Sequence, residues 1–188
     1  AKEYSSSLFV TIGTGVGAGV IVDGKPLCGY NGAAAELGHL PVVEDEQEYC
    51  NCGKKGCLEQ VASATGIVRT ATRMLNESEE PSSLRDIPYI SAKVVFDEAK
   101  AGDLIALNVV DYVCRYLGKG IACAVGMVDP EVISIGGGVS AAGEFLLSRI
   151  SKYYKEYVFH ASRNTQIIQA TLGNDAGMYG AARLVMND

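Results

Sequence analysis

The sequence predicts an α/β domain built on a mixed sheet, antiparallel at its start and extended in parallel, with helices on its flanks. Three observations carry this expectation. Short β-rich runs joined by glycine turns fill the opening, and strands alternate with helices after residue 130. In addition, 48% of the 188 residues are hydrophobic, enough to bury a full core and offset the chain entropy lost on folding.

Leu8-Phe9-Val10-Thr11-Ile12 is β-rich and leads into the glycine run Gly13-Thr14-Gly15-Val16-Gly17-Ala18-Gly19. Val20-Ile21-Val22 and Asp23-Gly24 then read as a strand and a hairpin turn. Leu40-Pro41-Val42-Val43 is expected to complete a three-stranded meander ahead of a cysteine cluster. A helical region at 58–75 follows, divided near Ser63, Thr65 and Gly66 because Ser and Thr favour caps and Gly weakens a helix interior. The polar patch at 76–83 reads as a surface loop. Residues 91–101 fit a short helix ending before Gly102, and 103–128 a longer one with Asp103 as N-cap and Asp129-Pro130 as its stop. Its apolar positions, Ile105, Val109, Val113 and Ile121 among them, recur at helical spacing. Val132-Ile133-Ser134-Ile135 is a buried strand, 141–157 an amphipathic helix, 166–170 a further strand, and 176–186 a closing helix with Asp175 as its N-cap. Of the tyrosines at 153, 154 and 157, core placement is expected.

Composition excludes several classes. The balance of 16 Lys+Arg against 22 Asp+Glu gives a net charge of −6, and the basic residues are scattered, with Lys54-Lys55 the densest spot and too small, so no nucleic-acid groove is expected. No window approaches the ~18 apolar residues of a membrane span, and the first residues lack the apolar run of a secretory signal. A cytoplasmic protein is expected. The chain begins at Ala1 rather than Met and enters a strand within a few residues, as a piece of something longer would.

Six cysteines occur, at 28, 50, 52, 57, 114 and 123. Cys28, Cys114 and Cys123 sit among apolar neighbours and are expected to be buried, inert thiols. The other three crowd into Cys50-Asn51-Cys52-Gly53-Lys54-Lys55-Gly56-Cys57, with His39 upstream. Three sulfurs and one imidazole complete the tetrahedral set that Zn²⁺ prefers, and Gly53 and Gly56 can take the positive φ values that fold a short loop around an ion. Adventitious closeness of reduced thiols is the bland alternative. Four protein ligands would leave no open coordination position, so such an ion is structural and orients Glu36, His39 and Glu59. Carboxylates beside an imidazole suit a polyol, because they accept hydroxyl hydrogen bonds with charge assistance. For Glu59 alone, a solvated charge at a helix start remains an equal reading.

Gly13-Thr14-Gly15-Val16-Gly17-Ala18 nominally fits a dinucleotide pattern, yet a strand follows where that pattern requires a helix. A strand–turn–strand loop can still present backbone N–H groups and the Thr14 hydroxyl to phosphate, and a plain hairpin is the alternative. Gly136-Gly137-Gly138 lies between a buried strand and a helix, which suits a nucleotide approaching bare backbone.

Taken together, these residues resemble the ROK family of bacterial sugar kinases and related repressors. The stretch from Thr11 to Gly19 is similar to its phosphate loop, Glu36-Leu37-Gly38-His39 to its E-x-G-H motif, and residues 50–59 to its C-x-C-G-x-x-G-C-x-E element. Ile135-Gly136-Gly137-Gly138-Val139 resembles its adenosine-side turn, and Ala64-Thr65-Gly66-Ile67-Val68-Arg69 looks most like the glucokinases. The resemblance covers nearly the whole chain. It implies the C-terminal lobe of an actin-like, ribonuclease-H-like kinase across residues 1–188, with a zinc-binding loop. It further implies zinc on His39, Cys50, Cys52 and Cys57, sugar against Glu36, His39 and Glu59, and ATP with Mg²⁺ at Thr14, Gly15 and Gly136, Gly137 and Gly138.

The implied activity is ATP-dependent phosphorylation of a hexose, glucose to glucose 6-phosphate, by a homodimer. Ala18 and Ala35 stand where the family often has Gly, and the chain carries neither the D-x-G-x-T segment nor the Asn-Asp pair that supplies the family's catalytic Asp. Asp175 follows Asn174 but comes after the last strand. No catalytic base is therefore expected in this chain, and the fragment alone is expected to be nearly inactive. The alternative is the sugar-sensing half of a ROK repressor.

Overall fold

The computed structural model describes residues 3–173 together with 178, 180 and 182. Its central strand, β1 (Ser7–Ile12), pairs antiparallel with β2 (Val16–Val22) through the glycine turn, and β2 pairs antiparallel with the two-residue β3 (Lys25–Pro26). On its other side β1 runs parallel to β4 (Val132–Gly136), which pairs parallel with β5 (Gln166–Gln169), giving the order β3-β2-β1-β4-β5. The sheet is mixed as expected. Leu8, Val10 and Ile12 are fully buried, whereas Phe9 and Thr11 on the opposite face are half-buried, the period-2 pattern of a strand with one face packed on a core.

The third strand of the meander corrects the sequence reading. The Asp23-Gly24 turn, with φ of 50° and 73°, folds Lys25–Pro26 straight back onto Ile21 and Val22. Residues 40–43 instead make one isolated bridge, Pro41 to Cys57, which ties the cysteine loop to the chain around His39.

Helices α1 (Glu59–Ala62) and α2 (Ala64–Glu77) are divided at Ser63, whose side chain caps α2 by accepting from the Gly66 N–H at 3.0 Å. Ser91 caps α3 (Ala92–Ala101), which ends on left-handed Gly102. Asp103 caps α4 (Leu104–Val128) through the Ala106 N–H at 2.9 Å, and left-handed Asp129 terminates it ahead of Pro130. Helix α5 (Glu144–Tyr157) packs on α4, with Gly118 lying so close that an added Cβ would stand 2.6 Å from the Tyr154 backbone nitrogen. A 3-10 turn at Gly138–Ala142 takes up positions 141 and 142, where the helix was expected to begin.

Tyr153 and Tyr154 are buried as expected, and Tyr157 is exposed. Cys114 is buried; Cys28 and Cys123 are exposed, against expectation. Cys28 lies on the irregular loop after β3, and Cys123 on a solvent-facing position of α4, where apolar neighbours in sequence are not neighbours in space. The closing helix at 176–186 and the Asp175 cap lie outside the described residues, apart from positions 178, 180 and 182. Among the described residues no helix is long and apolar enough to cross a membrane.

Candidate metal and ligand site

The sequence places His39 and the thiols far apart, and three local devices bring them together. Leu37–His39 forms a 3-10 turn whose Gly38 lies against β2: a Cβ there would meet the Val16 carbonyl oxygen at 2.0 Å, so only glycine permits the approach. Backbone bonds from Val42 and Val43 to the Gly56 carbonyl, and from Leu58 N–H to the Leu40 carbonyl at 2.9 Å, then sew the loop's end to the segment following His39. Within the loop, Cys50 N–H donates to Lys54 and Gly53 N–H to Cys50, with Gly53 and Gly56 at φ of 83° and 80° as their positions require.

The result is convergence. One ligand atom from each of His39, Cys50, Cys52 and Cys57 lies within 4.8 Å of all the others. Cys52 Sγ stands 3.4 Å from Cys57 Sγ, and Cys50 Sγ 3.6 Å from His39 Nδ1. An ideal tetrahedral ion with ~2.3 Å bonds to sulfur separates its ligands by about 3.8 Å. The donor set and its spacing therefore fit a tetrahedral, thiolate-preferring cation. Burial pushes the Cys57 thiol up to about 12 and Cys50 above its ordinary value, while the Lys54 backbone N–H holds the exposed Cys52 below it. A cation in this cluster would displace thiol protons that the metal-free loop favours keeping on Cys50 and Cys57.

Glu59, the first residue of α1, turns its carboxylate into the cluster. Its Oε1 accepts from Cys50 Sγ at 3.2 Å and lies 3.5 Å from His39 Nδ1. These contacts give Glu59 partners beyond solvent. Its Oε2 reaches the glycine turn, where a Cβ on Gly15 would stand 2.9 Å away. Glu36 is exposed at the start of the turn that carries His39, and among the described residues its carboxylate makes no hydrogen bond to this cluster.

The β1–β2 turn docks on the start of α2: Ala64 N–H donates to the Gly13 carbonyl at 2.8 Å and Thr65 Oγ1 to the Thr14 carbonyl at 3.2 Å. Exposed Thr14 consequently faces two concavities. One, of about 360 Å³, is bounded by Gly15, Cys50, Glu59, Ser63 and Arg69. The other, of about 480 Å³, runs between the turn, Gly138 and Val139, and one face of α3. Gly137, at φ of 82°, packs on β1 so tightly that a Cβ would meet the Ile12 carbonyl oxygen at 2.5 Å, and Gly136 abuts the Phe9 ring. The two glycine runs, more than a hundred residues apart in sequence, thus meet across β1 and open on one cleft.

The second cleft also contains Ser91, Lys93, Phe96 and Lys100 of α3. Sequence reasoning did not single these out. Their spacing reads as an ordinary amphipathic helix, and nothing local marks which side faces a cleft. Gln60, which braces the thiol loop, was equally silent, and Arg69 entered only as the end of the 64–69 stretch.

The ROK family's sequence profile matches residues 1–188. The chain belongs to the ROK family. It is 46% identical over 182 residues to a glucokinase of Halalkalibacterium halodurans, covering 95% of this chain and 55% of that protein. The solved ROK family glucokinase of Streptomyces griseus, in complex with glucose and AMPPNP, matches with a TM-score of 0.83 at 32% identity, over 96% of this chain and 60% of that one. A solved ROK family transcriptional regulator, a homolog of the E. coli MLC protein, matches with a TM-score of 0.84 at 33% identity, over 96% and 46%. This ROK chain spans about half the length of the relatives it matches. Its mixed sheet with flanking helices is the actin-like architecture of ROK kinases that the motifs implied.

Proposed function

We propose that the protein carrying this chain is an ATP-dependent hexose kinase that converts glucose to glucose 6-phosphate. The observation that carries the reading is Thr14, which lines both the concavity beside Glu59 and the cleft beside the second glycine run. A hexose at Glu59 and the terminal phosphate of ATP, with its Mg²⁺, at the glycine turns would then meet at that residue. Phosphoryl transfer depends on such positioning, with the attacking hydroxyl passing its proton to a carboxylate as the terminal phosphate leaves ADP. The chemistry of the donor set points to Zn²⁺ on His39, Cys50, Cys52 and Cys57, a structural ion that holds the loop. Glu36, His39 and Glu59 bind sugar hydroxyls, and Thr14, Gly15 and the 136–138 turn receive ATP.

No residue of this chain is proposed as the base. That carboxylate comes from another lobe of the intact protein, of which residues 1–188 are the C-terminal one, so the isolated chain phosphorylates hexose negligibly. The intact protein works as a homodimer in the cytoplasm, where its thiols, all unpaired here, stay reduced. The test is glucose 6-phosphate formation by the intact protein and by the 188-residue chain. Robust turnover by the chain alone would overturn the assignment of the base. The similarity to a transcriptional regulator supports a second reading, a sugar sensor, which predicts no turnover by the intact protein and sugar-dependent binding to DNA.

A further inference from the structure

Gln60 follows Glu59 on the short helix α1 and lines the concavity beside it, and both ends of its amide are engaged by main chain. Its Oε1 accepts from the backbone N–H of Cys57 at 3.0 Å, and its Nε2 donates to the backbone carbonyl of Glu48 at 3.0 Å. One side chain therefore bridges the two ends of the segment that holds all three thiols. The bridge is itself braced. Arg69 of α2 donates to the Gln60 carbonyl at 2.8 Å and to Glu48 Oε2 at 2.8 Å, and it pairs with Glu46. The bonds joining the far end of the loop to 40–43 are backbone bonds, whereas the entrance at Glu48 is held to the exit at Cys57 by this amide.

We propose that Gln60 is a positioning residue for the thiol loop: its amide staples Glu48 to Cys57, pre-organises Cys50, Cys52 and Cys57, and so sets how firmly the loop retains its metal ion. The proposal rests on the reading of these ligands as a zinc site. Ligand groups fixed before binding leave less ordering to be done when the ion arrives, and partners that orient ligands commonly change metal affinity by 10–100-fold. Both of the amide's bonds go to main chain, so shape and donor–acceptor polarity are what the position requires.

The deciding measurement is the rate at which the zinc-loaded intact protein yields its metal to an excess of a chromogenic chelator. Gln60→Ala is expected to release zinc roughly tenfold faster or more. Gln60→Glu keeps an acceptor for Cys57 but loses the donor to Glu48; it serves if Gln60→Ala does not fold, and releases zinc severalfold faster. In both, the melting temperature of the metal-depleted protein stays at the wild-type value, which separates loop positioning from general stability. Equal release rates in wild type and variants, or an equal loss of melting temperature with and without metal, would overturn the proposal. If wild-type protein holds no stoichiometric zinc, the metal reading falls with it. Zinc retained by wild type and variants alike removes the role of Gln60 only.

Discussion

The glycine turns and the thiol loop meet at Thr14 and Glu59, but they keep their shapes by opposite means. The turns at 13–15 and 136–138 are continuations of adjacent, parallel strands, and Gly137 rests on the Ile12 backbone. Sheet hydrogen bonds and close backbone packing fix them before any ligand arrives. The thiol loop is irregular, with Cys52 exposed and its four candidate ligands clustered around a space suited to a cation. Its exit is held by backbone bonds to 40–43, its entrance by side chains, and on the proposed reading its centre by zinc. One half of the site is thus a product of the sheet, and the other is a loop whose donor set invites a cation.

Cys57→Ser should break the comparison most severely. Losing a fully buried ligand is expected to reduce metal affinity by more than the roughly 100-fold that loss of a ligand's hydrogen-bond partner costs. Elemental analysis and chelator competition would measure it, and the β1–β2 turn should keep its amide protection. Gly137→Ala tests the other half. With φ of 82° and a backbone oxygen 2.5 Å from the new Cβ, it should cost about 2–4 kcal/mol in urea denaturation while metal stoichiometry stays unchanged.

Gly15→Ala sharpens the comparison where the halves touch. The methyl meets the end of a flexible carboxylate, so Glu59 shifts and the fold persists. On the proposed kinase reading, losing one charge-assisted bond should raise the hexose KM of the intact protein about tenfold. Ala35→Gly acts beside Glu36: Ala35 sits at φ of 63°, and relieving that strain should add about 0.5–1 kcal/mol to thermal stability.

The smallest effect concerns Glu46. Burial opposes its ionisation, but hydrogen bonds and charge from Arg69 hold its carboxyl below the ordinary 4.5. A carboxyl depressed in the folded state contributes stability above its unfolded value and loses it as pH falls through the folded one. Glu46→Gln should therefore flatten the stability profile below pH ~4.5, by about 1 kcal/mol or less because Arg69 is 33% exposed. Denaturation midpoints of both proteins between pH 3 and 6, a range of about three units around that value, would show it.

Periodicity and caps made most of this fold legible. Ser63 and Asp103 cap the helices where their side-chain chemistry says they should, and strand β4 is buried throughout as its mainly apolar run implies, Ser134 included. The failures share a cause. Lys25–Pro26 is too short to carry a pattern, Cys28 and Cys123 depend on which way a backbone faces, and the cleft-facing side of α3 is defined by a turn some eighty residues earlier. The candidate ligands were legible because sulfur and imidazole are scarce and chemically specific. Gln60 and Arg69 were not, because their partners are main-chain atoms and exposed acids that any sequence offers.

Gly137 seated on Ile12 holds the two glycine turns side by side at one end of the β1–β4 pair. On the reading proposed above, ATP at these turns and sugar at Glu59 would lie against one shared edge, because Gly15 abuts the Glu59 carboxylate.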